Sequence, residues 1–497
     1  MTAAFVAEIH YWDGTAEQIE LVTTGEGFAT RPGDTPPSKL AAPSLIDPGT
    51  YRRELFSGAR ALGPVRPSFG ELRISNLDAR YDGWREFSFD GRSLVVRYGE
   101  GAYPGDFATV FACAIDTITI TAKEVRVKLR DRLEYLSRRK VLTQTFAGTW
   151  GVEGPPTMTG TIKPRCFGDP GYVPCVQVSA GSQIYFICAD YPGGLQSSFQ
   201  AWDGGMPLTR GADYSSAAEC ASTAPDPGYC RFWFDLVNGG AWVRCGTPIA
   251  VELRAYPQGH QKDGSAYTFG SLAREAGIDD AALGWGVVSQ YVNDASMSVL
   301  DLLQEQAGIN FLAFGFDRND AWQVIPVSPP AAPAAYSFTE WNTKGIEFGQ
   351  SSDGAVADVS VNIGESWPCQ LANGADAQMK DYLSRSPWWA TYKLSNKSVL
   401  DAHPMAESAT VEIKARAIVN AYEWNAWSEK YRALFMADRE RVNVRVPFSV
   451  ELLSLDLHST VEIKLPRFGL ESGKLYRIVS VQYELSGNPT IQFTLWG

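Results

Sequence analysis

The sequence has few histidines and none of the motifs of common catalytic sites. Only four histidines occur among its 497 residues, which leaves few groups for acid–base catalysis near neutral pH or for metal binding. The patterns G-x-S-x-G and H-E-x-x-H, a Walker loop, and G-x-G-x-x-G after a strand are all missing. The carboxylates Asp279, Asp280 and Glu305 are present, but nothing predicts that they pair across a cleft, as a glycoside hydrolase requires. We therefore expect no enzyme.

Long hydrophobic runs and an excess of positive charge are also absent. No run of about 20 apolar residues occurs, so a transmembrane helix is not expected. Met1 to Tyr11 lacks the basic start and apolar core of a signal peptide. This predicts synthesis in a cytoplasm, where disulfides do not persist. The net charge of −12 argues against nucleic-acid binding through phosphate neutralisation, and hence against sequence-specific binding. Repulsion between the acidic protein and the DNA phosphates would instead suit a channel through which DNA slides without binding.

The eight cysteines are unevenly distributed along the chain. Six of them lie within 80 residues, in a stretch rich in Gly and Pro: Cys166, Cys175, Cys188, Cys220, Cys230 and Cys245. Their spacing contains no C-x2-C knuckle, which argues against a zinc ribbon. Three interpretations stay open: small buried residues of a β-domain, disulfides formed after release from the cell, or ligands of a metal ion or iron–sulfur cluster. No other cofactor is expected.

Residues that favour strands are abundant. Hydrophobic residues make up 45% and aromatic residues 12%, and the length predicts about three to four domains. Apolar and polar residues alternate near the end of the chain, in Thr460–Leu465, Leu475–Tyr483 and Thr490–Trp496. Similar patterns predict further strands near the start, at Ile19–Thr23, Gly70–Asn76, Leu94–Tyr98, Asp106–Cys113 and Glu124–Leu129. The fold class is therefore mainly β with α+β parts, in several domains.

Two segments of the first 150 residues allow more than one interpretation. Arg31 to Pro67 contains seven prolines, so it is either a surface loop packed on its own domain or an arm that reaches a neighbouring subunit. Lys123 to Lys140 contains eight basic residues against three acidic ones. It is either a solvated strand and short helix or a docking face for an acidic partner ring.

The second half of the chain mixes helices and strands. We expect helices at Phe269–Ala276 and Ser296–Ala307, the latter with Ser296 as N-cap and Gly308 as its end. A hairpin follows at Asn310–Phe316 and Ala321–Val327, and a strand at Val356–Ile363. Met379 to Lys397 shows no clear period and is expected to be irregular.

A helical stripe precedes the last strands. Apolar residues recur every three or four positions, which predicts one long amphipathic helix: Ile413, Ala417, Ala421, Trp424, Trp427, Tyr431 and Leu434. Three aromatic clusters could stack on sugars but are better explained by packing: Trp388-Trp389, Tyr422 with Trp424 and Trp427, and Phe232-Trp233-Phe234.

The end of the chain resembles part of a known protein family. Pro466–Leu470, Gly473–Val481 and Thr494–Gly497 resemble the C-terminal portion of the tail hub proteins (baseplate hub or tail-tip proteins) of tailed bacteriophages. Arg52 to Gly70 and the unit at 290–330 are similar to other regions of the same proteins. Some phage tail-tip proteins carry a cysteine-ligated cluster, but their spacing does not map onto the cysteines here.

The resemblance implies a structural virion protein without catalysis. It implies a homotrimer at the distal end of the tail, in which each chain offers two β-barrel-like domains to a hexameric tube or distal-tail ring. The implied partners are the tape measure protein, a distal tail protein or tube ring, and a central fibre, spike or second hub protein.

The domains expected from this resemblance are four. They are a β-barrel-like ring domain at 1–150, a cysteine-rich inserted β-domain at 151–255, an α+β hub domain at 256–405, and a helix plus a second β-barrel-like domain at 406–497. The alternatives are a tail-associated cell-wall hydrolase or carbohydrate-binding protein, and a hexameric distal tail protein.

Overall fold

The computed structural model describes most of the chain, as two compact units. Its described residues are 3–55, 62–190, 196–257, 267–278, 282, 284–349, 356–365, 367, 369–375, 377–384, 388–404, 406–414 and 421–497. The first unit combines Met1–Tyr135, Leu312–Ala355 and Ala437–Gly497, and the second combines Leu136–Phe311 and Val356–Met436. Each unit is therefore assembled from segments that are distant in sequence.

Strands dominate the described residues. In chain order they are β1 (Ala4–Trp12), β2 (Glu17–Thr23), β3 (Phe28–Ala29), β4 (Leu40–Ala42), β5 (Leu45–Asp47), β6 (Thr50–Glu54), β7 (Gly63–Pro64), β8 (Ser68–Phe69), β9 (Leu72–Ser75), β10 (Ser93–Gly99), β11 (Phe107–Ile120), β12 (Glu124–Arg130), β13 (Arg165–Phe167), β14 (Val173–Pro174), β15 (Val176–Ser179), β16 (Ile184–Ala189), β17 (Gln200–Asp203), β18 (Met206–Pro207), β19 (Thr209–Arg210), β20 (Tyr229–Asp235), β21 (Gly240–Cys245), β22 (Leu253–Tyr256), β23 (Gln290–Val292), β24 (Leu312–Phe316), β25 (Trp322–Pro326), β26 (Tyr336–Phe338), β27 (Gly345–Gly349), β28 (Val356–Glu365), β29 (Trp388–Ser395), β30 (Glu407–Ile413), β31 (Arg441–Pro447), β32 (Thr460–Ile463), β33 (Lys474–Glu484) and β34 (Thr490–Trp496). The helices are α1 (Leu133–Arg138), α2 (Ala217–Ser222), α3 (Phe269–Glu275), α4 (Val299–Asn310), α5 (Ala377–Ser384), α6 (Lys397–Ala402) and α7 (Ala421–Phe435).

The N-terminal sheet of the first unit curls back on itself. Its nine strands pair in the order β3-β4-β2-β1-β10-β11-β12-β9-β5. Strands β4 and β5 are near opposite ends of this order, yet only Pro43 and Ser44 separate them in the chain. Three residue steps span at most about 11 Å, so the two ends of the sheet meet. The amide of Ser75 in β9 donates to the carbonyl of Ser44 at 2.7 Å, which fastens this connection.

The C-terminal sheet of the same unit is also curled. Six of its strands pair in the order β26-β32-β33-β34-β31-β27. In a flat sheet β26 would lie about 14 Å from β34, three strands away, but the rings of Phe338 and Phe493 on these strands are 5.6 Å apart. Residues 339–344 connect β26 to β27, the two edge strands. Both sheets thus approach the barrel-like form expected from the resemblance.

Strand β6 leaves the first sheet and pairs with the second. It lies between β5 and β9 in sequence, but its partner is β33, with Tyr51 opposite Tyr483. The Tyr51 ring stacks on Tyr483 at 5.7 Å and on Phe111 of β11 at 5.3 Å. The described part of the proline-rich segment is therefore built into its own unit through short strands. Its interpretation as an arm that reaches a neighbouring subunit stays a prediction.

A buried arginine on the same face of β6 as Tyr51 fixes this strand further. Arg53 is only 1% exposed, and its Nη1 donates to both Asp456 carboxylate oxygens at 2.8 and 2.9 Å. Its Nη2 donates to Gln323 Oε1 at 3.0 Å. A buried guanidinium is tolerated only with such partners, so β6 is held to β25 and to the segment before β32.

The second unit contains three sheets and most of the helices. Its sheets pair in the orders β19-β20-β21-β16-β13-β23 with β15 added beside β16, β14-β22-β17-β18, and β29-β28-β30. The sequence predicted several helix positions wrongly. The N-cap of α4 is Ser298, since it forms a capping box with Asp301, whereas Ser296 bonds back to Asp294. Helix α4 ends at Asn310. Its C-cap is Phe311, which has a left-handed conformation and lies three residues beyond the predicted end at Gly308.

Two further predictions for this unit are corrected. The segment 379–397 is not irregular in its described part, because α5 and β29 occupy most of it. The long amphipathic helix is shorter than predicted, since Ile413 ends β30, which pairs in parallel with β28. Ala417 lies outside the described residues, and Trp424, Trp427, Tyr431 and Leu434 do share α7.

The fold class expected from the sequence is confirmed. The chain is mainly β with a few helices and more than one compact unit, and the predicted strands near both chain ends are present. The four domain boundaries remain a prediction. Two strands from residues 336–349, β26 and β27, pair into the sheet that was expected to come from residues 406–497 alone. Helix α7, which was expected in the same domain as that sheet, belongs to the second unit.

We expect the Asp456→Ala substitution to lower the free energy of unfolding of the first unit by about 3 kcal/mol, because it leaves the Arg53 charge buried without its counter-ion. Urea denaturation followed by tryptophan fluorescence measures this. The matched control is Arg52→Ala, which removes an exposed ion pair with Glu54 and should cost less than about 1 kcal/mol. Equal effects of the two substitutions would contradict the role assigned to Arg53.

Candidate functional site

The six clustered cysteines lie in the cores of the second unit. Cys166, Cys188, Cys230 and Cys245 are buried in one apolar cluster, with Cys175 packed against it. Cys220 belongs to a neighbouring cluster around Phe186 and Trp242. All eight cysteines of the chain are free thiols. The first of the three interpretations, small buried residues of a β-domain, describes this placement.

The thiols are chemically suited to a core. Burial raises the pKa of Cys230 to about 11 and that of Cys220 to about 12, so both thiols are protonated near neutral pH in the metal-free protein. Among the residues that the structure describes, no group of three or more His, Cys, Asp or Glu side chains is arranged to hold a metal ion. Ligation of a metal ion or an iron–sulfur cluster by these six cysteines stays a prediction.

The carboxylates considered for hydrolysis do not form a catalytic pair in the described structure. Glu305 accepts a hydrogen bond from Gln290 at 2.6 Å and forms an ion pair with Lys414 at 3.2 Å. Asp279 and Asp280 lie outside the described residues.

The predicted aromatic clusters mainly pack inside the protein. Trp427 is buried and donates from Nε1 to the carbonyl of Ile309 at 3.2 Å. Trp424 stacks on Tyr392 at 4.1 Å. Phe232 is fully buried, although Tyr422 on α7 is exposed. Packing, rather than a row of open stacking platforms, explains most of these rings.

A polar cleft of about 420 Å³ occurs in the second unit. At its base Arg165 forms ion pairs with Glu275 at 2.5 Å and with Asp190 at 3.5 Å. The Tyr267 hydroxyl donates to the other Glu275 oxygen at 2.8 Å. The buried guanidinium of Arg165 is thus neutralised by two carboxylates that reach it from more exposed positions.

Basic side chains form a stripe on the N-terminal sheet, which sequence reasoning had located. Arg126, Lys128 and Arg130 alternate along the outer side of β12, and Arg73 of β9 lies directly opposite Arg126. Two arginines in this position repel each other, and Glu124 holds them together with ion pairs of 2.6 Å to each. The strand and short helix expected at Lys123–Lys140 are confirmed.

Two exposed aromatic residues flank the seam between the edge strands of the C-terminal sheet. Trp341, in the connection from β26 to β27, is 93% exposed, and Phe468, in the turn after β32, is 62% exposed. Phe468 has a φ of +66°, a conformation that costs energy for a bulky residue. Its ring lies 5.2 Å from Phe348 of β27. We name Trp341, Phe348 and Phe468 the aromatic seam; no local pattern in the sequence had indicated it.

One carboxyl group of the first unit has a strongly altered acidity. Burial raises the pKa of Asp131 to about 7, against the opposing hydrogen bond from the Leu133 amide. Asp320 and the positive charges of Arg66 and Arg53 are its charged neighbours. The local cavity is about 10 Å³, which leaves no room for a substrate, so this group influences stability rather than chemistry.

Comparison with known proteins finds likeness at the level of structure. No protein-family model and no curated protein sequence matches the chain. Solved structures that it resembles include a tail protein from Neisseria meningitidis MC58, with a TM-score of 0.41 and 9% identity over 100% of this chain and 97% of that one. Another is the 43 kDa tail protein of prophage MuSo2 from Shewanella oneidensis, with a TM-score of 0.43 and 10% identity over 99% and 95%.

A third is prophage tail protein gp18 from Listeria monocytogenes EGD-e, with a TM-score of 0.38 and 7% identity over 99% and 94%. All three are tail proteins, the class that the sequence itself resembles. TM-scores below 0.5 do not establish a shared function, so the functional proposal depends on this chain's own residues. No helix among the described residues is long and apolar enough to cross a membrane.

The acidity of Asp131 predicts a pH-dependent effect of Asp131→Asn. Because the folded protein holds this proton up to about pH 7 and the unfolded chain releases it near pH 4, wild-type stability falls as pH rises between these values. The variant should therefore be more stable than wild type by on the order of 1–3 kcal/mol at pH 8, and the difference should shrink towards pH 5. Urea unfolding across this range measures it.

Asp78→Asn is the matched control, because Asp78 is an exposed carboxylate of the same unit. Its effect on the free energy of unfolding should not change over the same pH range. A pH-independent effect of Asp131→Asn would contradict the assignment.

Proposed function

We propose that this chain is a structural subunit of a phage tail. Three copies would form a hub at the distal end of the tail, between a hexameric tube or distal-tail ring and a three-fold central fibre or spike. The tape measure protein and a second hub protein are further expected neighbours. The protein would be assembled in the host cytoplasm and reside in the virion, where it would take part in host attachment and genome ejection.

One observation carries this proposal. The first unit contains two curled sheets, one from residues 4–130 and the other mainly from residues 336–496. A three-fold object can close a six-fold ring only if each chain offers two equivalent surfaces. Two curled sheets held in one unit by β6 support this arrangement, and the resemblance at Pro466–Gly497 supports the same function. Superposition of the two sheets remains a prediction.

The surface chemistry of this unit suits assembly. Large aromatic side chains are enriched in the centres of protein interfaces, and the aromatic seam exposes two of them. The basic stripe offers a docking face to an acidic ring, because charge complementarity guides association. A hexameric distal tail protein, the other structural alternative, would use the same surfaces with a different stoichiometry.

The proposal predicts that the chain forms trimers and that its incorporation into particles depends on the aromatic seam. Native mass spectrometry of the full chain at micromolar concentration should give three times the 54.4 kDa mass. The Trp341→Ser/Phe468→Ser double variant should keep its unfolding midpoint but lose incorporation into particles, as seen by electron microscopy of tails. Leu77→Ser is the matched control, since Leu77 is 78% exposed in the same unit but outside the seam.

Three outcomes would contradict the proposal of a trimeric tail hub, and a fourth would contradict the role of the aromatic seam. A monomer that is absent from particles would exclude the hub, and a hexamer would favour the distal tail protein. Clearing of a peptidoglycan zymogram would favour the hydrolase. Equal incorporation of the double variant and wild type would exclude the seam as the assembly surface, while leaving the trimer to be judged by its mass.

A further inference from the structure

We propose that Cys230 and Cys245 are an oxidative modification site. In oxidising surroundings the two thiols would form a disulfide across the β20–β21 hairpin, with a small-molecule disulfide such as oxidised glutathione as the oxidant. The register of the hairpin places the two residues directly opposite each other. This inference concerns the second unit and does not depend on the proposed assembly of the first.

The backbone hydrogen bonds around Cys230 and Cys245 show whether the two residues form a hydrogen-bonded or a non-hydrogen-bonded pair of the hairpin. In an antiparallel ladder two kinds of opposed pair alternate. The residues of one pair exchange two backbone hydrogen bonds, and those of the next pair direct their amide and carbonyl groups away from each other. The amide of Cys245 donates away from β20, to the carbonyl of Gln183 at 3.0 Å, and the carbonyl of Cys230 accepts from Gly211 at 2.8 Å. The next opposed pair is bonded, with Gly246 donating to Tyr229 at 2.9 Å.

Cys230 and Cys245 are therefore a non-hydrogen-bonded pair. The Cα atoms of such pairs lie about 4.5 Å apart, and their side chains are closer than at bonded sites. Disulfides bridge Cα atoms that are about 4.4–6.8 Å apart. Both side chains leave the same face of the hairpin and enter the same apolar cluster, so the bridge needs no movement of the backbone between units or sheets.

The other cysteines provide internal comparisons. The thiols of Cys166 and Cys188 contact each other by a hydrogen bond, but their strands β13 and β16 are parallel and pair Arg165 with Ala189, so the two are not directly opposed. Cys113 is buried in the first unit, where it serves as a reference thiol. We expect it to remain reduced when the hairpin pair is oxidised.

The chemistry balances as two successive exchanges. One protein thiolate attacks the oxidant's disulfide, forms a mixed disulfide and releases one glutathione thiolate. The second protein thiolate attacks the mixed disulfide at the protein sulfur and releases the second glutathione. Two protein thiols thus become one disulfide, and one oxidised glutathione becomes two reduced molecules. Burial raises the pKa of both thiols, so few thiolates form and the reaction is slow while the hairpin is closed.

The bridge would stiffen an unusual hairpin. The turn between β20 and β21 displays Leu236, which is half exposed, and Val237, which is 88% exposed. A cross-link between the two strands restricts the unfolded state and fixes the base of this apolar tip. Oxidation would therefore raise the thermal unfolding midpoint of the second unit without changing the secondary structure.

The test is oxidation of the native full chain followed by peptide mapping. The protein is incubated with oxidised glutathione for hours to days, free thiols are alkylated, and the digest is examined by mass spectrometry. We expect a peptide pair linking Cys230 to Cys245 with the loss of two hydrogens, while Cys113 is alkylated. The same treatment should raise the unfolding midpoint by several degrees, and addition of dithiothreitol should reverse the shift.

Two single variants make the result decisive. Cys230→Ser and Cys245→Ser should each fold, as judged by circular dichroism, and should show no rise of the midpoint on oxidation. Cys113→Ser, the matched control, should keep the rise. A parallel sample in low urea accelerates opening of the hairpin and should give the same linkage faster.

Other outcomes overturn the proposal. These are alkylation of Cys230 and Cys245 after every oxidation, linkage of either residue to Cys175 or another cysteine as the main product, or glutathione adducts that never resolve to the pair. A midpoint that rises equally in Cys230→Ser would also overturn it.

Discussion

The arrangement of the first unit depends on where strand β6 pairs. The chain leaves the N-terminal sheet after β5, adds β6 to β33 of the C-terminal sheet, and returns to the N-terminal sheet at β9. Tyr51 of this strand stacks between Phe111 of one sheet and Tyr483 of the other. Aromatic pairs of this kind contribute about 0.5–1.5 kcal/mol beyond the area they bury. Arg53, on the same face of the strand as Tyr51, forms an ion pair with Asp456, so one short strand supplies both apolar and ionic links.

The two curled sheets and their surfaces give this unit its suitability for assembly. Curling brings the two ends of each sheet towards each other, and a protected sheet edge is less open to unspecific pairing with other chains. What remains outside is a stripe of ion-paired basic residues on β12 and an aromatic seam beside β27. The seam is the more distinctive of the two, because Phe468 keeps an exposed ring in a left-handed backbone conformation where a smaller residue would fit more easily.

The second unit uses its cysteines as packing residues, and its charges as internal ties. Four thiols share one core with Phe199, Phe232 and Val243, and Arg165 is enclosed by carboxylates. The opposition of Cys230 and Cys245 is a consequence of hairpin register, which the spacing of the cysteines along the chain did not reveal.

The sequence by itself determined the strands and the class of fold, because a period of two in apolar residues is local information. It located β32, β33 and β34, the basic segment and the apolar stripe of α7. It misplaced the cap of α4, since two serines two residues apart look alike until Asp301 selects Ser298. Tertiary structure alone decided the pairing of β6 with β33, the addition of β26 and β27 to the last sheet, and the meeting of Arg53 with Asp456. These contacts join residues that are more than 90 positions apart, and their choice depends on long-range packing that no local pattern encodes.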